Sequence, residues 1–491
     1  MVLPSATNRA TIGGDSAVEF CVGMPGLALC SLSCWKRAGM RGVGRGHRFC
    51  ATRTLLEGIM RILLIATNRH KRLMSRMNAQ PLPIGLAYIA GYLDQARHAV
   101  KMLDLMFSDD NYLDEVEQAV RAFQPQLVGI SIRNLSNHSY LDPQWQLPIT
   151  KAVIQRLRAT SRALIVCGGP AFSLLPKECF AYVEPDLGVV GDAGEAFAEL
   201  ADRLERGDAS YVDLPGLVYR DKDQIIFAGT PAASRFSRPP RLEDLDMARY
   251  QQAGFGIGVL TKLGGFYYPT APSGMPAEDG AWRVIRPVAE VVQEVKDLRA
   301  RFGLHKVFFI DNCFNIPLAH AKALCRALID AALPVHWNTA LAPYGCDAEL
   351  IQLMKRAGCA LVLLGGMGGE SRDMVALEES LGALRETCSL CEAGGLHYTI
   401  SQAFGEPGET QQTVERKLAF LRTLSPAMAN VRIGISMLPG TAVAARALEE
   451  GLIADEAELI RPTFYVAAEV RDWLVDRLKA EAAHNPRWNL L

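Results

Sequence analysis

The sequence lacks an excess of either charge: Lys+Arg 52 stand against Asp+Glu 53, a formal net charge of −1. No global basic field exists to draw in nucleic acid. It also lacks any uncharged apolar run of the about eighteen residues that a membrane-spanning helix needs. Charged residues make up 21%, aromatic residues 8% and hydrophobic residues 49%, which excludes a disordered chain, a collagen-like repeat and a coiled coil. What remains is a soluble globular protein of enzyme size, and 491 residues are too many for one ordinary domain.

A disulfide framework is also missing. The 12 cysteines are scattered over a long chain without a secretory signal, the usage of a cytoplasmic protein with reduced, buried thiols. Two short spacings occur, Cys30-x3-Cys34 and Cys388-Ser-Leu-Cys391, and neither has a second pair nearby to complete four metal ligands.

From Phe20 to Leu56 there is no acidic residue, while Lys36, Arg37, Arg41, Arg45, Arg48 and Arg53 are basic and no helical or strand period appears. Such a stretch suits a transit peptide. The plainer expectation is that residues 1–59 are a disordered tail or follow a mis-set start, and that the folded protein opens at Met60.

From there apolar runs at 61–67, 100–105, 127–132, 163–167 and 187–191 alternate with amphipathic stretches such as Leu82–Ala96, Leu113–Phe123, Ile149–Thr160 and Glu195–Arg206. That alternation predicts an α/β domain over 60–215, a doubly wound, flavodoxin-like parallel sheet with helices on both faces. Ligands of such sheets bind at the carboxyl ends of the strands. Those ends read Asn68-Arg69-His70, Ser131-Ile-Arg133-Asn134, Cys167-Gly168-Gly169-Pro170 and Gly191-Asp192-Ala-Gly194-Glu195. Their glycines allow a backbone to approach a large, flat or phosphorylated ligand, or simply turn tightly.

A hairpin around Asp221-Lys-Asp and a Pro/Arg-rich connector (Pro231 to Arg241) fill 216–256 as a linker. Strand candidates at 257–263, 306–311, 335–341, 360–365, 397–404 and 430–437, with helical periods between them, predict a partial (βα)6 barrel over 257–445. A helical cap over 446–491, with its main helix at Glu469–Ala483, closes the chain.

Several motifs carry a family resemblance: Ser131-Ile-Arg-Asn134, Gly168-Gly-Pro-Ala-Phe-Ser173, Val307-Phe-Phe-Ile-Asp-Asn-Cys-Phe-Asn315, Gly365-Gly-Met-Gly-Gly-Glu-Ser371, Gly405-Glu-Pro-Gly-Glu-Thr410 and Pro439-Gly-Thr441. In this order and spacing the chain resembles the cobalamin-dependent radical S-adenosylmethionine family from about Met60 to its end. The resemblance implies a corrinoid across the first domain's strand ends. Asn68, Ser131, Arg133, Asn134, Gly168, Gly169, Ser173, Gly191 and Glu195 are then the cobalamin-binding candidates. Ser131–Asn134 would face the lower side of the corrin, and Gly168 to Ser173 would take the nucleotide tail. The Asp-x-His-x-x-Gly signature that supplies a cobalt-ligating histidine elsewhere is absent, as is usual in this family. In the barrel the resemblance places S-adenosylmethionine, if it binds, against Glu370, Ser371, Gly405 and Pro407.

One departure governs the function. Members of the family carry Cys-x3-Cys-x2-Cys after the first barrel strand, three thiolates that hold a [4Fe–4S] cluster. Aligned on Thr261-Lys262, Gly264 and Arg286-Pro287, those positions are Gly265, Pro269 and Pro272. Cys313, Cys325, Cys346 and Cys359 are too dispersed to replace them. A cluster, and with it the radical initiator, is therefore not expected. Phe266, Tyr267 and Tyr268 either fill the vacated volume or pack on the connector.

The leading expectation is a cobalamin-dependent transferase, methyl transfer foremost, acting on a small molecule by polar displacement. Its catalytic residues are not assigned. Asp311, Asn312, Asn315, His336 and Tyr344 lie near predicted strand ends, and His336 is the one whose reference pKa suits an acceptor-side base, although a lone strand histidine is more often structural. The alternative is a non-catalytic cobalamin-binding partner or sensor subunit of an intact radical enzyme; a decayed enzyme is a third reading.

Overall fold

The structure, a computed structural model, describes residues 59–69, 80–191, 193–208, 210–229, 238–253, 256–264, 282–311, 313–365 and 374–491. The first sheet is built from β1 (Met60–Ala66), β2 (His98–Asp104), β3 (Leu127–Ser131), β4 (Leu164–Gly168) and β5 (Leu187–Val189), all parallel, in the order β2-β1-β3-β4-β5. Burial on both faces explains their near-continuous apolar runs, such as Met60–Ala66, where six of seven residues are buried. The covering helices are α1 (Ile84–Tyr92), α2 (Tyr112–Phe123), α3 (Leu147–Thr160), α4 (Pro170–Leu174), α5 (Pro176–Val183) and α6 (Gly194–Glu205). Strand order reverses between β1 and β3, the switch point at which doubly wound sheets of this order bind ligands.

Several expected boundaries change. The hairpin β6 (Leu217–Asp221) and β7 (Gln224–Phe227) is not linker: it continues the first sheet, β6 pairing antiparallel with β5. Its apolar residues Leu217 and Val218 are buried there, which a free hairpin could not offer. Residues 238–246 then run along the first domain, the Arg241 amide donating to the Ala87 carbonyl and Asp244 accepting the Met102 amide, into α7 (Met247–Gln252), capped by Asp246, whose side chain accepts from the Arg249 amide.

The second sheet is also parallel, with β8 (Ile257–Val259), β11 (Lys306–Phe309), β12 (His336–Leu341), β13 (Cys359–Gly365), β14 (His397–Phe404) and β15 (Met428–Ile433) neighbouring one another in chain order. Between β8 and β11 lies an antiparallel ribbon, β9 (Lys262–Gly264) with β10 (Trp282–Ile285), so the expected strand 257–263 is two strands. Helices α8 (Val288–Phe302), α9 (Leu318–Asp330), α10 (Ala348–Arg356), α11 (Met374–Ala393) and α12 (Gln411–Arg422) supply the crossovers.

The expected strand 430–437 breaks at Gly434, whose φ is +67°. A side chain there would sit 2.9 Å from the Tyr465 carbonyl, so only glycine permits β16 (Ile435–Ser436) to turn off and pair with β17 (Phe464–Tyr465). The C-terminal segment is more than a helical cap. After α13 (Ala442–Glu449) and α14 (Arg471–Ala483), β18 (Trp488–Leu490) adds a seventh parallel strand beside β15. Among the described residues no helix is long and apolar enough to cross a membrane.

Candidate functional site at the facing strand ends

At the carboxyl edge of the first sheet, β1 runs into Thr67, Asn68 and Arg69, all buried. The Thr67 hydroxyl donates to the Ser131 carbonyl at 3.3 Å and meets the Thr150 hydroxyl at 3.1 Å. Arg69 turns to the Asp109 carbonyl at 2.5 Å and lies over the Tyr112 ring, 4.1 Å from its centroid. Asn68 does neither: its carboxamide is buried with no hydrogen-bond partner among the described residues.

Next to it, β3 ends in Ser131, and Arg133 emerges exposed, one N–H donating to the Asn134 side-chain oxygen at 3.1 Å. The β4 end is closed tightly. Gly169 has φ +101°, and a Cβ there would lie 2.8 Å from both the Ile132 carbonyl and the Ser131 hydroxyl. Ser173 ties this turn to the β5 loop, its hydroxyl donating to the Gly169 carbonyl and accepting the Gly191 amide, each at 2.9 Å. Eight predicted residues, Asn68, Ser131, Arg133, Asn134, Gly168, Gly169, Ser173 and Gly191, thus lie along neighbouring strand ends. Glu195 is exposed in the first turn of α6, where an acid also favours the helix N-terminus.

One half-buried acid flanks this edge. Asp104 at the end of β2 accepts the Tyr250 hydroxyl at 2.5 Å and the Met106 amide at 3.0 Å. Burial pushes its carboxyl up to about 6, the two hydrogen bonds opposing.

The loop after β3 reaches the barrel. His138 (φ +53°) places Nδ1 3.3 Å from the Ser436 hydroxyl, Trp145 donates to the Ile460 carbonyl at 2.8 Å, and Tyr140 meets Phe464 edge-on at 5.6 Å. Burial, then the charges of Arg432 on β15 and Arg133, depress the His138 imidazole to about 4, so it is neutral at physiological pH. The carboxyl edges of the two sheets therefore meet at His138.

On the barrel side a cavity of about 170 Å³ opens at the carboxyl ends of β12–β15, with Tyr344, Cys313, Ser401 and Arg432 among its lining residues. Asn315 is buried and shapes its wall: its Nδ2 donates to the Tyr344 carbonyl at 2.6 Å and its Oδ1 accepts the Ala342 amide at 2.9 Å. His336 does not belong to the cavity. It is exposed at the amino end of β12, while the cavity lies at the other end of that strand, because a register that starts the strand at His336 points its last residues, not its first, at the site.

Asp311 lies behind the cavity in a wholly buried pair with Lys262, Nζ to Oδ2 3.4 Å, and it also accepts the Thr261 amide at 3.1 Å and the Thr261 hydroxyl. Lys262 donates to the Cys313 and Phe314 carbonyls at 3.1 Å each; its burial lowers the ammonium pKa, Asp311 opposing. The Gly405–Glu409 loop is locked from within. Lys417 of α12 holds Glu406 at 2.6 Å and Glu409 at 2.7 Å, and Glu409 accepts the amides of Gly405 and Glu406. Gly405 is buried, Pro407 half-buried, and neither lines the cavity.

Glu370, Ser371, Asn312, Asp192, His70, the aromatic residues Phe266, Tyr267 and Tyr268, and the positions Gly265, Pro269 and Pro272 lie outside the described residues. Sequence reasoning missed His138, Arg432 and Lys417. Lys417 had a signal: it sits with Val414, Leu418 and Leu421 on the buried stripe of α12, where a charge demands a partner.

Fold and site define a two-domain α/β protein, a flavodoxin-like ligand-binding sheet whose carboxyl edge meets that of a parallel partial barrel. Residues 73–201 match the B12 binding domain family. The tryptophan 2-C-methyltransferase of Streptomyces laurentii is 24% identical over 73% of this chain and 70% of its own length. An uncharacterised methyltransferase of Pyrococcus horikoshii is 23% identical over 80% of this chain and 84% of its own. The radical S-adenosylmethionine methyltransferase TsrM of Kitasatospora setae, solved with cobalamin and a [4Fe–4S] cluster bound, superposes with a TM-score of 0.71 at 22% identity, covering 88% of this chain and 93% of that one. Residues 73–201 therefore carry a B12-binding domain, and the chain as a whole shares the fold of a radical S-adenosylmethionine methyltransferase solved with cobalamin bound.

Proposed function

We propose that the chain is a cobalamin-binding methyltransferase that takes its methyl group from S-adenosylmethionine, serves a small-molecule acceptor, and holds no [4Fe–4S] cluster at the usual loop. The observation that carries the last point is chemical: residues 265–281, the whole segment between the two strands of the β9–β10 ribbon, contain no cysteine. Among the described residues the one group of three His, Cys, Asp or Glu side chains within common ligand reach is His98, Asp202 and Glu205. It includes no thiolate, and Arg97 already pairs with both its acids.

The residues at the first sheet's edge fit a corrinoid. A buried Asn68 amide without a hydrogen-bond partner among the described residues stands at the switch point, and a side-chain-free Gly168-Gly169 turn is braced by Ser173. Asn68, Ser131 and Arg133 would hold its macrocycle, Gly168, Gly169 and Ser173 its tail. When bound, cobalamin supplies a cobalt nucleophile able to accept a methyl group and pass it on. The chain's own part is placement: Tyr344, Ser401 and Arg432 orient the acceptor in the cavity, while His138 keeps a neutral imidazole between two guanidinium groups. The Lys417–Glu406–Glu409 lock fixes the Gly405–Pro407 loop beside which S-adenosylmethionine would bind.

The test is anaerobic reconstitution of the full chain with iron, sulfide and hydroxocobalamin, followed by metal analysis and a labelled-methyl transfer assay. About one cobalt per chain, negligible iron and label moving from S-adenosylmethionine support the proposal. Stoichiometric cluster iron overturns the cluster-free reading. Cobalt retention without transfer, restored by an intact radical enzyme, favours the partner-subunit reading instead, since the same missing cysteines suit it.

A further inference from the structure

The two domains are joined on either side of β1, and the two junctions differ in strength. On the β2 side the chain itself makes the link. There Asp104 accepts the Tyr250 hydroxyl of α7, and Asp244 accepts the Met102 amide. Arg286, buried and paired with Glu294 of α8 at 2.6 Å, reaches the Tyr88 hydroxyl of α1 at 3.5 Å. On the β3 side the loop between β3 and α3 crosses to the far end of the barrel sheet, where the break at Gly434 sets β16 and β17 apart.

That loop is braced to move as one piece. Ser136 and Trp145 bridge its arms, and the Gln146 amide donates to the Leu135 carbonyl at 2.8 Å to close its base. The buried Asn137 side chain ties the tip: Nδ2 donates to the Asp142 carbonyl at 2.9 Å, and Oδ1 accepts the Gln144 amide at 3.0 Å. Outward it presents Trp145 to the Ile460 carbonyl at 2.8 Å and to the exposed Arg461, whose guanidinium lies 4.9 Å from the indole ring centroid. Tyr140 meets Phe464 edge-on, and His138 meets the Ser436 hydroxyl. Neutral hydrogen bonds, an aromatic edge and an exposed cation–π contact break and re-form readily, whereas a covalent connector and a buried ion pair do not. A motion that parts the facing edges therefore turns about the connector and releases this loop. A ligand as broad as a corrin, lying between the edges, is trapped while both junctions hold.

We infer that residues 135–146 are a latch: docked on residues 435–465 they retain the corrinoid, and released they open its route in and out. This rests on the proposed cobalamin binding and adds to it the control of cofactor exchange.

The test uses the full chain as wild type, as Trp145→Phe, which keeps an aromatic ring and removes the donor to Ile460, and as Tyr140→Leu. Entry of hydroxocobalamin is followed by stopped-flow absorbance, and its release by chasing with excess methylcobalamin. Cofactor-free melting is recorded for each protein. The broken contact is the same with and without corrinoid, so entry and release should both quicken about tenfold in Trp145→Phe, the weight of one hydrogen bond, while Kd moves less than about threefold. Tyr140→Leu should quicken both rates in the same sense. Unchanged rates overturn the inference. Faster release with unchanged entry also overturns it, because the loop then holds the corrinoid by contact rather than gating it. Loss of cooperative melting in both variants overturns it by making these contacts part of the fold's support. Wild type that retains no hydroxocobalamin overturns the proposed function, and the latch with it, whereas retained cobalamin with unchanged rates removes the latch alone.

Discussion

Lys417→Met is the most informative single perturbation. In the wild type one ammonium, fully buried, lies 2.6 Å from Glu406 and 2.7 Å from Glu409, whose side chains are 2% and 0% exposed. Burial alone would pull the Lys417 pKa down; the two carboxylates outweigh it and hold the group charged beyond its usual range. Removing one partner of a buried pair costs about 3–5 kcal/mol, and here two buried carboxylates lose the ammonium they share, so a loss of about 5 kcal/mol is expected at pH 8. That is a large share of an ordinary net stability of about 5–15 kcal/mol.

The pH dependence gives the mechanism away. Without Lys417 the buried carboxylates have raised pKa values, so the folded variant keeps protons that the unfolded chain releases. The deficit is therefore full at alkaline pH and shrinks as pH falls. Urea unfolding of wild type and variant at pH 8 and pH 5.5 measures both effects, and Glu406→Gln/Glu409→Gln/Lys417→Met, which leaves no buried charge, should recover most of the loss. A deficit below about 1 kcal/mol, or one that ignores pH, refutes the reasoning.

Three further outcomes follow from the facing edges. Asp104, with a folded pKa of about 6 against 3.8, favours the folded state most below pH 3.8 and loses that advantage as pH rises through 6, about 3 kcal/mol in all; Asp104→Asn should gain on wild type in urea midpoints between pH 4 and pH 7.5. His138 is shifted the other way, from 6.5 to about 4, so its neutral form stabilises the fold above pH 6.5 and that contribution is lost as pH falls towards 4. A histidine ring proton signal that is absent from His138→Asn and still shows the neutral form at pH 5.5 would confirm it. Gly169→Ala forces a methyl to 2.8 Å from the Ile132 carbonyl at a positive φ, which should cost about 2 kcal/mol or more in thermal unfolding and weaken corrinoid retention.

Much of the fold was legible because parallel strands buried on both faces must be apolar runs, and the five of the first domain and six of the second are written that way. Glycine and serine at their ends marked the first domain's edge for the same local reason: a strand must stop and turn there. The hairpin's place in the first sheet was not legible, since pairing of β6 with β5 is a long-range choice that leaves no periodicity of its own. The same holds for β18, three residues long and paired with β15 59 positions away, Ala429 with Trp488 at its start. His336 misled because composition can place a residue in a strand but cannot say which end of the strand faces the cavity.

By itself, then, the sequence determined the two α/β domains, the glycine-lined strand ends and the absence of cysteine from residues 265–281, because each is a local matter of pattern or identity. Only the tertiary structure decided which side chains share a site. Arg133, His138 and Arg432 converge across some 300 positions, Lys417 reaches back to Glu406 and Glu409, and Asn68 is left without a partner among the described residues at the switch point. Burial and charge act through space, and no local pattern in the chain encodes those distances.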